Sequence, residues 1–139
     1  MTERMTQAEF RRATGTEPMK LGAVKAKGRP RRQPGEMTSV EKQMHHELGV
    51  KQTLGEIEWF AYEPVKLRLA DRTFYTPDFC VMHTDGTIEF REVKGSWKAP
   101  HQEDSRVKIK VAAEQFQMFR FTSYSGGGKK GWKIEEFNK

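Results

Sequence analysis

Cysteine is nearly absent: Cys80 is the only one in 139 residues. An internal disulfide is therefore excluded, as is a cysteine-rich zinc site, and Cys80 is expected as a reduced, buried thiol. Histidine is also scarce. His45, His46, His83 and His101 show no paired spacing of the kind a zinc site needs, so helix-surface and turn positions account for them. No apolar run approaches the roughly 18 residues of a membrane span, and the N-terminus lacks the apolar stretch of a signal peptide, so the chain is expected in the cytosol. The length suits one domain with one core.

Net charge is missing from most of the chain. Residues 36–139 hold sixteen basic and sixteen acidic side chains, whereas residues 1–35 hold nine and three, so the whole excess of +6 lies in the first quarter. That quarter interleaves Lys20, Lys25, Lys27, Arg29, Arg31 and Arg32 with glycine and proline and has few apolar residues. It is expected to be a flexible basic arm that follows phosphates through counterion release, or else a solvated tail.

Order is expected from residue 36 on. Thr38 and Glu41 form a capping-box pattern ahead of Val40, Met44 and Leu48, which predicts an amphipathic helix over 39–50. Strand-like alternation follows over 57–63, 65–69, 73–82 and 87–94. A helix is predicted over 105–116, with Val107, Val111 and Ala112 inward and Arg106 and Lys110 on another face. Strands over 118–124 and 132–137 close the chain. The pattern predicts an α/β (α+β) domain with a mixed sheet.

The hairpin at 83–87 decides which side chains meet. A two-residue turn at Asp85-Gly86 would put Asp78 and Glu92 on opposite faces. A three-residue loop, Thr84-Asp85-Gly86, with Gly86 left-handed, pairs His83 with Thr87, Met82 with Ile88 and Cys80 with Phe90, and sets Asp78 opposite Glu92. The second register collects the apolar residues on one face and is the expected one. The other face, with Phe79, Val81, His83, Glu89 and Arg91, reads as mixed and half covered. Asp78, Glu92 and Lys94 then end the apolar stripe, a violation of patterning of the kind found at functional sites. Opposed Cβ atoms about 4.5 to 5.5 Å apart let two carboxylates converge on a hard divalent cation, and a lysine beside them suits phosphodiester hydrolysis. The structural alternative is a turn residue after Pro77 and an exposed Glu92–Lys94 ion pair.

Tyr75-Thr76-Pro77-Asp78-Phe79 and Glu92-Val93-Lys94-Gly95, with thirteen residues between Asp78 and Glu92, resemble the motif of the PD-(D/E)XK nuclease superfamily. An N-terminal acidic helix, Gly55-Glu56-Ile57, Tyr62-Glu63-Pro64 and a basic helix after the motif are similar to small phage-encoded members, over about residues 37–137. The resemblance implies a restriction-endonuclease-like core, a mixed sheet flanked by helices, that cuts nucleic acid with Mg²⁺ or Mn²⁺. Asp78 and Glu92 would be metal ligands and Lys94 the catalytic lysine. Glu41 would be a further catalytic metal ligand from the first helix, unless the capping box alone explains it; Glu47 and Glu63 are lesser candidates. Lys98, Arg106, Lys108 and Lys110, with Arg29, Arg31 and Arg32 of the arm, are the expected nucleic-acid contacts, and Trp97 either stacks on a base or plugs the core. The expected substrate is DNA, branched recombination intermediates included, with RNA open. A binding module of nuclease fold without cleavage is the alternative, and two-strand cleavage would favour a homodimer.

Overall fold

Thr38 starts the first helix, α1 (Ser39–Thr53), in extended conformation, and its Oγ1 accepts from the Glu41 backbone N–H at 3.2 Å. The computed structural model describes residues 35–97 and 102–138, all within one unit spanning Gln33–Lys139. The basic segment with Arg29, Arg31 and Arg32 lies outside the described residues, as do Lys98 and His101.

After α1 come β1 (Ile57–Tyr62), β2 (Leu67–Ala70), β3 (Thr73–Tyr75), β4 (Phe79–His83), β5 (Ile88–Lys94), α2 (Gln102–Gln115), β6 (Arg120–Gly126), a 3-10 turn at Gly128–Lys130, and β7 (Trp132–Glu136). The main sheet runs β1-β4-β5-β6-β7, and β2 pairs with β3 in a separate ribbon. Only β5 and β6 are parallel, joined through α2 as a parallel pair requires; the other pairs are antiparallel. The chain is thus an α+β fold with a mixed sheet.

The run over 73–82 is two strands. Pro77, fully buried, has no N–H to offer a ladder, and between Tyr75 and Phe79 the chain leaves the β2–β3 ribbon for the main sheet. The hairpin after β4 has the three-residue loop. His83 N–H donates to Thr87 O at 2.9 Å, Gly86 N–H donates to His83 O at 3.0 Å, and Gly86 sits at φ 88°. Cys80 opposes Phe90 and Met82 opposes Ile88, as the apolar pattern requires.

Both faces of the sheet are covered, which corrects the half-covered expectation. On one face Phe79, Val81 and Val93 pack with Met44 and Leu48 of α1 and with Ile57. Glu89 and Arg91 lie buried on that face as a pair: Arg91 Nε is 3.0 Å from Glu89 Oε2, His83 and Thr122 also bond this carboxylate, and the guanidinium sits over the Tyr124 ring. Burial alone would raise the Glu89 carboxyl, but Arg91, Thr122 and His83 bring it below its ordinary value. On the other face Tyr75, Cys80, Phe90 and Phe121 meet Ile109, Ala112 and Ala113 of α2. Val107 and Val111 are exposed, contrary to the expected inward set, because α2 seats its 109-112-113 stripe and its two alanines allow close approach to Phe90 and Phe121. Cys80 is a free, buried thiol whose pKa burial and Glu89 push up. Among the described residues no helix is long and apolar enough to cross a membrane.

Candidate active site

Five elements bring carboxylates and phenols to one end of the sheet. Glu92 and Lys94 share a face of β5 two residues apart, and Lys94 Nζ is 3.2 Å from Glu92 Oε1. Asp78 stands one residue before β4, continuing the register that pairs Phe79 with Arg91, and its Oδ2 accepts from the Val93 backbone N–H at 2.8 Å. Asp78 is thereby tied to β5 beside Glu92. The Tyr75 hydroxyl, from the end of β3, donates to Glu92 Oε2 at 2.8 Å. Tyr62, from the end of β1, donates to Glu41 Oε2 at 2.6 Å.

Glu41 turns its carboxylate toward the sheet and is 7% exposed. The backbone half of the capping box forms through Thr38 while the Glu41 side chain bonds Tyr62, and its charge reaches both Asp78 and Glu92. The first helix therefore adds a third carboxylate to the electrostatics of this end of the sheet. Asp78, Glu92 and Lys94 are brought together as the register predicted.

The electrostatics follow from that crowding. Burial, then the charge of Glu92, pushes the Asp78 carboxyl up to about 8, against the lowering effect of the Val93 N–H and of Lys94. Burial also raises Glu92, although Lys94 and Tyr75 pull the other way. Tyr75 is held well above its ordinary value by burial and the adjacent Glu92. Such a site has more negative charge than its single lysine offsets.

No family model, curated protein or solved structure matches the chain. The assignment of chemistry therefore stands on the side chains themselves.

Among the described residues no group of three or more His, Cys, Asp or Glu side chains is close enough to form a ready-made metal cage. The donor set still fits a hard divalent cation. Two oxygen-only side chains held side by side, both raised above their ordinary values, match the one or two carboxylates by which Mg²⁺ is commonly bound, with water and substrate phosphate supplying the rest. Asp78 and Glu92 would hold it, with Glu41 behind them.

The other expected residues separate. Glu47 accepts from Trp132 Nε1 at 2.7 Å and from Gln43 Nε2 at 3.1 Å, so it pins α1 to β7. Glu63 is exposed at φ 45°, and its backbone N–H donates to Asp78 O at 2.8 Å, which helps place Asp78. Lys108 and Lys110 are exposed on α2. Arg106 instead forms an ion pair with Glu135, with its Cζ 5.4 Å from the Trp97 ring centre. Trp97 packs against the core and has Lys94 Nζ 5.9 Å from its ring centre.

Sequence reasoning passed over Tyr62 and Tyr75. Their signal was weak: both precede prolines, at 64 and 77, and only the pairing of β3 and β4 with different partners turns Tyr75 toward Glu92.

Proposed function

We propose that the protein is a divalent-cation-dependent endonuclease that hydrolyses phosphodiester bonds in DNA, with Asp78, Glu92 and Lys94 at its centre and Glu41 in support. The observation that carries this reading is the half-buried Asp78 held beside the buried Glu92, with Lys94 Nζ 3.2 Å from Glu92 Oε1, an excess of carboxylate too crowded to ionise fully without a cation. Its agreement with the PD-(D/E)XK pattern adds the reaction class.

Each group has a distinct task. The Val93 N–H and the Tyr75 hydroxyl hold the two carboxylates in place before substrate arrives. A divalent cation bound by these carboxylates would supply Lewis acidity toward a phosphoryl oxygen. Lys94 orients the attacking water or offsets the charge that develops on the pentavalent phosphorus. Burial of the site strengthens each of these interactions relative to open solvent.

The test is nicking of supercoiled plasmid and cleavage of a branched DNA substrate in Mg²⁺. Asp78→Asn and Lys94→Ala should each lower the rate by about 10²–10³-fold, with melting profiles confirming that both fold. Cleavage by either variant at the wild-type rate would sink the proposal.

A further inference from the structure

Across β5 from Asp78, toward β6 and β7, lies an open cleft of about 650 Å³, lined by Gly95, Ser96, Trp97, Lys130, Trp132 and Lys133 among others. A smaller pocket of about 130 Å³ shares Trp97, Ser125 and Lys133 with it and adds Ser123, Arg106 and Glu135. Two residues of the small pocket carry buried polar atoms with no hydrogen-bond partner among the described residues, Ser123 Oγ and Trp97 Nε1. Ser123 is 1% exposed. A buried hydroxyl and a buried indole N–H left unsatisfied are costly, and the cost is recovered when a polar ligand reaches them.

The wall of the cleft is built rather than loose. Gly128 N–H donates to Gln43 Oε1 at 2.8 Å, and Trp132 Nε1 donates to Glu47 Oε2 at 2.7 Å, so the 126–132 turn is fastened to α1. Gly127 lies so close that an added Cβ would fall 2.9 Å from both Gln43 Oε1 and the Trp132 ring. Lys130 and Lys133 stand exposed on this wall, and the one acid of the small pocket, Glu135, is taken up by Arg106. The balance at the mouth is cationic.

The position ties the cleft to the carboxylates. Across the parallel β5–β6 pair Glu92 opposes Ser123 and Lys94 opposes Ser125, so the pocket floor lies one strand spacing from Glu92, on the same face of the sheet.

We propose that this cleft and pocket bind one nucleotide of the substrate strand, adjacent to the phosphate held at Asp78, Glu92 and Lys94. The base packs on Trp97 and offers an acceptor atom to Ser123 Oγ, a sugar or phosphate oxygen of the same strand accepts from Trp97 Nε1, and Lys130 and Lys133 meet the next phosphate. The strand then crosses the sheet from β4 toward β7. This placement rests on the nuclease reading for its neighbour, but the binding itself needs no cation.

The test is fluorescence anisotropy of a labelled single-stranded oligodeoxynucleotide titrated with the full chain in EDTA, followed by cleavage kinetics in Mg²⁺. Ser123→Val, which removes the buried hydroxyl, and Trp97→Leu, which removes the stacking ring, should each weaken binding about tenfold, within the range that removal of one base–aromatic stack produces. Lys133→Glu, on the exposed wall where folding is not at stake, should also weaken binding and raise KM more than it lowers kcat. Unchanged affinity in Ser123→Val and Lys133→Glu overturns the pocket, as does failure of the wild type to bind single strands. A wild type that binds through Ser123 and Lys133 yet never cleaves overturns the nuclease reading alone. Cleavage with wild-type KM by both variants overturns the pocket alone.

Discussion

Two buried acids of β5, Glu89 and Glu92, titrate in opposite directions because of what each faces. Glu89 meets Arg91, Thr122 and His83, which outweigh its burial and hold it ionised. Its contribution to stability is present at neutral pH and is lost as pH falls through its lowered value. Glu92 is raised by burial, which Lys94 and Tyr75 do not offset, and Asp78 beside it is pushed up to about 8. Between the ordinary carboxylate value near 3.8 and about 8, the folded protein holds a proton that the unfolded chain has released. Stability of the metal-free protein should therefore fall as pH rises across that window and level off above it. Thermal melts at pH 5 and pH 8 check this. Asp78→Asn should flatten the difference, and Mg²⁺ should raise the melting temperature more at pH 8 than at pH 5. A wild-type protein equally stable at both pH values, with or without Mg²⁺, would contradict the crowding on which the site depends.

The β4–β5 hairpin is the element that makes the site, and its loop is the element's weak point. Gly86 at φ 88° closes a three-residue loop and has open space around its Cα, so a side chain there meets backbone strain alone. Gly86→Ala should cost about 1–2 kcal/mol, read by urea denaturation, with Mg²⁺-dependent cleavage kept below the transition. A larger destabilisation with altered cleavage would mean that the register itself had slipped. On α1, Leu48 is fully buried under the sheet, and Leu48→Ala should cost about 2–5 kcal/mol. On α2 the sequence reading caught only Ala112 of the buried stripe Ile109, Ala112 and Ala113, which recurs at i, i+3 and i+4. The rival stripe through Val107 and Val111 was as apolar, and only packing against Phe90 and Phe121 chose between them.

At the scale of the whole molecule, charge is divided between residues 36–139, which are neutral in sum, and a basic first quarter holding the full +6. If that quarter tracks phosphates, deleting residues 1–35 should flatten the dependence of log K on log salt by about 0.9 for each phosphate that the segment neutralises. DNA binding measured at several salt concentrations checks it, and an unchanged slope would remove the segment from DNA recognition.

The sequence by itself determined what local period and short-range pairing control: α1 with its Thr38 cap, the three-residue loop, and the parity that puts Asp78, Glu92 and Lys94 on one face. These depend on residues fewer than twenty positions apart, where one slip would turn a whole apolar stripe into water. Tertiary structure decided everything set by distant pairing. It covered the second face with Met44 and Leu48, turned Tyr75 to Glu92 and Tyr62 to Glu41, and laid β6 beside β5 so that Ser123 opposes Glu92. A parallel pair is joined only through a crossover, here α2, and no period in the sequence records which strand that helix returns beside or in what register.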